Sequence, residues 1–442
     1  MPPSVEVAQT DYGLAKGARR DHGGVLGLEG GAVLRVLGLQ PGALLGANGG
    51  RGVMGGPHFA SKAKRIIYLF QSGGPSQLDL YDPKPTLIEK HGTELPEEIR
   101  RGQRLTAMSG NQASLPLVGS PFKFAPRGQS GVEISDMLPH ISGIADDLCL
   151  IRSMHTEAIN HSPGMTLFMT GSQIPGRPSM GAWTSYGLGT LATDLPGFVV
   201  LNGGLVPSGG WDNFGNGFLP ASHQATVFKA GREPLADIRP REGRPGLQQA
   251  KLGLLAKLDR GVLDRFGHVD ELESAIANYE MAYRMQAAVP ELIDIKGETG
   301  ATRKLYGLEA KYEHTRTFGM QCLMARRLVE KGVRFIELTC PRIGGSDRWD
   351  AHGGLLKNHG DNARATDQPI AGLLQDLKSR GMLKDTLVVW SGEFGRTPKV
   401  KNNGGRDHWP MLSTLALAGG GLRMGLTVGQ SDSKAAEPRR DP

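Results

Sequence analysis

Between residues 318 and 390 the chain switches repeatedly between two periodicities, and this restricts its fold more than any other feature. Phe318, Cys322, Ala325 and Val329 recur at helical spacing until Gly332 breaks the run. VRFIEL, at 333–338, then reads as a strand. Ile370, Leu373, Leu374 and Leu377 mark the buried face of a second helix, predicted to start at Pro369 and close at Gly381. TLVVW, at 386–390, is short and β-branched enough for a buried strand. Helix, strand, helix, strand with short connections is the signature of a parallel sheet with right-handed crossovers. The expected fold is three-layer α/β/α with a mostly parallel central sheet and long irregular insertions.

The first half of the chain adds three strands, at 66–70, 148–154 and 197–202. The first ends in Ser72-Gly73-Gly74, a loop whose glycines permit close backbone approach and whose N–H groups can cradle an anion. It lacks the Gly-Lys-Ser/Thr ending of a P-loop. Ser72, Ser76, Asp79 and Asp82 supply its polar groups, and the plainer alternative is a βα turn with an Asp cap. Residues 91–145 read as irregular with an amphipathic piece at 134–144, and 203–270 as a Gly/Pro-rich insertion. Leu272, Ile276, Tyr279 and Tyr283 predict a packing helix ended by Pro290. LSTLALAGGG is a further strand and turn, and the polar tail KAAEPRRDP offers no predicted element to close a sheet. The chain is therefore expected to stop short of the domain's natural end.

Composition narrows the function classes. The 442 residues are 39% hydrophobic with 64 glycines, which suits a real core wrapped in loops. No apolar run approaches the ~20 residues that span a bilayer. The net charge of +7 is scattered, with no basic block interleaved with aromatics, so nucleic acid is not an expected partner. Cys149, Cys322 and Cys340 form no CxxC pair and no disulfide framework. Residues 1–57 are Gly-rich, with Arg19-Arg20 ahead of a mildly apolar stretch that Glu29 and Arg35 interrupt. A twin-arginine export signal is expected there, placing the protein in the periplasm or at the cell surface. The plainer alternative is a leader without an export role and a cytoplasmic protein. Nothing in the sequence reads on oligomeric state.

The chemistry-bearing residues fall after predicted strands, where α/β sheets bind ligands. Glu393 follows the strand at 386–390, with Arg396 next and Asp407-His408 on the following loop. The connection after Leu338, GGSDRWDAHGG, carries Asp350 and His352, with His359 further on. Asp350, His352, Glu393, Asp407 and His408 are thus candidate ligands for a divalent ion. Mixed carboxylates and imidazoles suit Zn, Mn or Fe, and Ca is included among the candidates. The plainer alternative pairs Glu393 with Arg396 on the surface and leaves His408 as a loop histidine. After the strand at 148–154 come His155 and His161, and Ser162-Pro163-Gly164 opens a helix through Phe168. His161 and Ser162 at such a junction can supply a nucleophile, a general acid or a ligand.

Five segments carry a family resemblance across residues 58–425: KAKRIIYLFQSGGPSQLDLYDPKP, IRSMHTEAINHSPGMTLFMTGSQIPGRPSMGAW, ARRLVEKGVRFIEL, WDAH, and TLVVWSGEFGRTP with GRDHWP. In them the chain resembles the bacterial family of unknown function DUF1501, which looks like a branch of the alkaline phosphatase/sulfatase superfamily. The resemblance implies an exported, metal-dependent hydrolase of sulfate or phosphate esters, with sulfated polysaccharides among its substrates. It implies Asp350, His352 and His408 as metal ligands, with Glu393 where the superfamily has an Asp. Ser162 lies near the nucleophile segment, with His161 and His155 beside it for the acid step. Arg396 or Arg406 is then expected to clamp the anionic group. Two departures stand out: Ser72-Gly73-Gly74 replaces the superfamily's first-strand Asp, unless Asp79 reaches in, and Glu393-Phe394-Gly395 replaces Asp-His-Gly. They imply one metal or none, and they keep open a rival reading, a non-catalytic exported protein that binds carbohydrate or metal.

Overall fold

A computed structural model describes residues 52–442 apart from 95, 98–115, 232, 237, 240–245, 268, 345–347 and 400–403. The expected leader lies almost wholly outside the described residues.

Eight strands form one sheet: β1 (Arg65–Phe70), β2 (Cys149–Met154), β3 (Phe198–Asn202), β4 (Thr226–Lys229), β5 (Phe335–Thr339), β6 (Thr386–Ser391), β7 (Ser413–Gly419) and β8 (Leu426–Val428). Their order is β8-β2-β7-β6-β1-β5-β3-β4. Every pairing is parallel except those of β7, which runs against both β2 and β6. The fold is therefore three-layered, with a mostly parallel sheet between two sets of helices.

Alternation along the central strand explains the layering. Ile67 and Leu69 of β1 join a core cluster with α5 (Glu313–Glu330) and α6 (Leu355–Ser379). Ile66, Tyr68 and Phe70 join a second cluster with α1 (His161–Thr170) and α2 (Met180–Leu188) on the opposite face. Because both faces are covered, the strands can be apolar without a break. Two further helices, α3 (Leu247–Phe266) and α4 (Asp270–Ile293), lie in the segment between β4 and α5.

Several elements differ from the sequence expectations. Helix α6 begins at Leu355 and runs through Pro369 instead of starting there. His359, Asn362, Ala363, Ala365 and Thr366, upstream of the proline, are buried, and their packing overrides the local helix-breaking tendency. Helix α4 likewise continues past Pro290 to Ile293. Its buried residues are Ser274, Val289 and Leu292, whereas Tyr279 and Tyr283 of the predicted packing stripe are 71% and 41% exposed. The segment expected to be one amphipathic piece contains a strand, Val132–Ser135, and a short helix, Pro139–Ser142. The Gly/Pro-rich insertion contributes β4 at the sheet edge. β8, for which the sequence predicts no strand, pairs in parallel with β2, whereas Pro438–Arg440 of the polar tail pairs with Gln430–Ser431 in a separate two-stranded ladder.

One core residue breaks the apolar rule. Glu337 of β5 stands in register with Tyr68, 2% exposed, and its Oε1 has no hydrogen-bond partner among the described residues. Burial pushes its carboxyl pKa well above the usual range, so the folded protein holds it as the neutral acid. The folded pKa is raised, so this group's stability contribution is complete below the unfolded carboxylate range and lost as pH climbs through the folded pKa. Glu337→Gln is neutral throughout. Thermal melts should therefore show the variant gaining on the wild type as pH rises from about 4 to 8, by about 2 °C or more. A constant difference across that range would mean that Glu337 is ionised in the fold.

Candidate metal centre

The site lies at the carboxyl ends of β1, β5 and β6, joined by the start of α1. Asp350 Oδ1 is its hub, 3.2 Å from His161 Nε2, 3.1 Å from His352 Nε2 and 3.6 Å from His408 Nε2. The two facing atoms His352 Nε2 and His408 Nε2 are 2.9 Å apart. All four donors lie within 4.8 Å of one another. Behind them, each imidazole is oriented through its other nitrogen. His161 Nδ1 meets Glu393 Oε1 at 2.5 Å, His352 Nδ1 meets Asp407 Oδ1 at 2.9 Å, and His408 Nδ1 donates to the Ile159 carbonyl at 2.8 Å.

Local structure explains the convergence. Trp349 is buried, its indole N–H bonded to Gln71 Oε1 at 3.1 Å and its backbone N–H to Ser72 at 3.0 Å, which pins the Asp350 loop over the end of β1. Gly73 has φ +97°, and a Cβ there would lie 2.6 Å from the Asp350 and Trp349 nitrogens. Gly405 is required for a similar reason, because its Cβ would meet the His352 backbone at 2.1 Å. His408 is fixed by a two-residue antiparallel ladder, His408–Trp409 against Gly395–Arg396. His161 is the first residue of α1, after Asn160 in extended conformation.

The sequence-predicted residues divide into three groups. Asp350, His352 and His408 meet at the centre, joined by His161, for which the sequence left a nucleophilic, acid or ligand role open. Glu393 and Asp407, expected as ligands, lie behind His161 and His352 instead. Glu393 also accepts the Gly73 N–H at 3.0 and 3.2 Å, so this donor of the glycine loop serves a protein carboxylate and not an external anion. The third group lies outside the four-donor cluster. His155 is exposed on the loop after β2 and is not part of the four-donor cluster. Ser162 is exposed in the first turn of α1, next to His161. His359 is buried in α6 and accepts the Ser76 N–H at 3.0 Å; burial pushes its pKa down to about 3, keeping it a neutral acceptor.

Neither arginine is placed to clamp a substrate. Arg396 is 0% exposed, bonded to Asp350 at 2.6 Å and to the carbonyls of Gly73, Gly74 and Arg406 at 2.5, 2.8 and 3.1 Å. Arg406, also 0% exposed, pairs with Asp79 at 2.8 Å, which is why Asp79 does not reach into the site. Sequence reasoning missed the Ile159 carbonyl altogether, because a backbone acceptor leaves no mark in residue type.

The electrostatics are divided among neighbours. Burial works against charge on His161, but hydrogen bonds to Asp350 and Glu393 outweigh it and raise its pKa to about 9. His408 goes the other way, lowered by burial to about 4. Burial also opposes ionisation of Asp350, yet its partners His161, His408 and Arg396 hold it far below the usual carboxylate range.

The donor set fits a divalent cation. With Nδ1 of His352 and His408 donating outward, their Nε2 lone pairs face each other at 2.9 Å, an arrangement that calls for a cation or proton between them. His161 Nε2 is buried and faces Asp350 Oδ1 at 3.2 Å. Metal–nitrogen bonds of about 2.0–2.1 Å place tetrahedral donors about 3.4 Å apart, and the separations from Asp350 Oδ1 are 3.1–3.6 Å.

Fold and site together define a three-layer α/β protein with a candidate mononuclear centre at the carboxyl edge of its sheet. Residues 63–442 match the family model described as protein of unknown function, DUF1501, and the chain belongs to that family. No curated protein matches the sequence. Among solved structures, the chain is similar to Ps i-CgsB in complex with k-i-k-neocarrahexaose, at 11% identity and TM-score 0.33, covering 84% of this chain and 70% of that one. It is similar to PsFucS1 sulfatase from Pseudoalteromonas sp., at 12% identity and TM-score 0.35, covering 85% and 66%. It is also similar to alkaline phosphatase from the Antarctic bacterium TAB5, at 9% identity and TM-score 0.32, covering 85% and 96%.

Two outcomes are expected from this geometry. Asp407→Asn removes the carboxylate that orients His352 and should weaken zinc binding by about 10–100-fold in competition with a chromophoric chelator. Unchanged affinity would remove Asp407 from the centre. Asp79→Asn strips the buried Arg406 of its counter-charge and should cost about 3–5 kcal/mol in urea unfolding. A loss below about 1 kcal/mol would show that the three carbonyls around Arg406, those of Val118, Gly119 and Thr397, suffice.

Proposed function

We propose that the chain is an exported, metal-dependent hydrolase of sulfate or phosphate esters, with its centre at His161, Asp350, His352 and His408. The observation that carries the reading is the convergence of three imidazole nitrogens and one carboxylate oxygen, each ring tied from behind by its own acceptor. Structural histidines seldom share both features, whereas metal-ligating histidines need them. Zn, Mn and Fe suit such a nitrogen-rich set better than Ca, which prefers six or more oxygens. A divalent cation held there supplies Lewis-acid stabilisation to charge developing on an ester oxygen.

The chain's own residues have separable tasks on this reading. Glu393 and Asp407 set the tautomer and aim of His161 and His352, and Arg396 holds Asp350 in place. The exposed Ser162 hydroxyl, in the first turn of α1, is the nucleophile candidate. The amide groups of that helix end favour the anionic group that no arginine grips. Export rests on Arg19-Arg20, and sulfated polysaccharides are the substrate class that the family resemblance implies.

A second reading has one observation in its favour: Arg396 and Arg406 are both consumed inside the protein. A non-catalytic metal- or carbohydrate-binding protein would need neither at its surface.

Elemental analysis combined with an ester screen separates the two. The wild type is expected to carry about one equivalent of metal and to hydrolyse an aryl sulfate or phosphate. His352→Ala should lose both properties, and Ser162→Ala should keep the metal while turnover drops by about 100-fold or more. A folded wild type without metal would sink the hydrolase reading. Metal without turnover across both ester classes would leave the binding protein.

A further inference from the structure

A two-residue ladder is too short to fix its own position, yet one of them carries a member of the centre. His408 pairs with Arg396, and Trp409 with Gly395. Side chains alternate along a strand, so His408 and Trp409 leave the ladder on opposite faces. His408 enters the centre. Trp409 enters a separate small core with Leu78, Leu87, Leu117 and Leu412, where it is 2% exposed. An isolated strand pair is marginal in water, so its orientation is set by what these two side chains meet.

A turn further along the chain closes that small core. Ala435 and Ala436 complete the cluster, and the Trp409 indole N–H donates to the Ala436 carbonyl at 2.7 Å. The turn is itself tied down. Ser431 donates to the buried Asp82 at 2.5 Å, Asp432 Oδ1 accepts the Ala436 N–H at 2.6 Å, and Ser153 of β2 donates to the Asp441 carbonyl at 2.5 Å. Among the described residues, Ala435 and Asp441 are the two non-glycines with left-handed backbone, at φ +53° and +49°. Such backbone is unfavourable for an L-residue and persists where its surroundings over-determine it. At Ala435 those surroundings are Trp409 and the leucines around it.

We infer that the turn at 431–437 positions the metal centre, by setting through Trp409 the tilt of the ladder that carries His408. The Ile159 carbonyl fixes the rotation of the His408 ring, whereas the turn fixes the backbone from which the ring projects. His408 Nε2 faces His352 Nε2 at 2.9 Å, and a tilt that moves it by about 1 Å shifts it by half a zinc–nitrogen bond length. Trp409 and Asp432 are thus positioning residues, which act through His408. The inference rests on the metal centre of the proposed function.

Zinc affinity of the full chain, by competition with a chromophoric chelator, tests the inference beside the melting temperature of the metal-free protein. Trp409→Phe keeps a ring in the small core and removes the N–H. Asp432→Ala releases the Ala436 N–H without touching Trp409, and, being half-buried, Asp432 carries the test should Trp409→Phe fail to fold. Both variants are expected to bind zinc about tenfold or more weakly. Asp432→Asn keeps an acceptor and should bind as the wild type does. Val329→Ala, in the core of α5, should melt lower and leave zinc affinity unchanged. Wild-type affinity in Trp409→Phe and Asp432→Ala overturns the inference alone. So does an affinity loss that Val329→Ala shares, because general loosening would then explain it. A folded wild type that binds no zinc overturns the metal centre and this role with it.

Discussion

A buried guanidinium holds this site together. Arg396 has no contact with solvent, and a charge so placed must be satisfied on every side or the fold pays several kcal/mol. Its fork reaches Asp350, the carbonyls of Gly73 and Gly74 after β1, and the carbonyl of Arg406. Three loops distant in sequence are thereby fixed to one planar group. A lysine, with one nitrogen on a flexible stem, could not hold the same three. Asp350 consequently presents a single oxygen to the histidines in a position set by the protein and not by solvent.

The same economy of connections appears one layer out. Gln71 and Trp349 link the end of β1 to the Asp350 loop, and Gly405 lets the Asp407-His408 segment lie against His352 without a side chain between. The Asp79–Arg406 pair and the neutral His359 brace the loop from beneath. Rigid support of this kind is what an ion centre needs, since ligands left loose by an ångström lose affinity and geometry together. The sheet contributes by delivering β1, β5 and β6 as adjacent parallel strands, so that their carboxyl ends open onto one place.

Much of this was legible in the sequence, for identifiable reasons. Apolar runs at 66–70, 333–338 and 386–390 mark strands, because a buried parallel strand admits little else. Asp350, His352 and His408 stand out because each follows a strand or shares its loop with an acid. What sequence could not rank is which groups touch and which stand behind. Glu393 and His161 look equally able to ligate until the fold sets the carboxylate behind the ring. Arg396 and Arg406 are typical anion-binding residues, and only their burial shows that their anions are Asp350 and Asp79. Pro369 misled because packing against α5 outweighs one missing helical hydrogen bond, and β8 was hidden in three residues of weak pattern.

Charge at the hub of the centre bears on what can occupy it. Asp350 and Glu393 bring two carboxylates to His161, and Arg396 sets one positive charge against Asp350. Buried carboxylates are costly unless positive charge shares the space. A proton on His161 supplies such a charge, which is why, despite burial, hydrogen bonds to Asp350 and Glu393 raise the pKa of that imidazole to about 9. A metal ion held at the same place would supply positive charge in the proton's stead, because His161 must give up its proton to offer Nε2 as a ligand. Protonation of His161 and occupation of the centre by a metal ion are therefore alternatives, set against each other by the same two carboxylates.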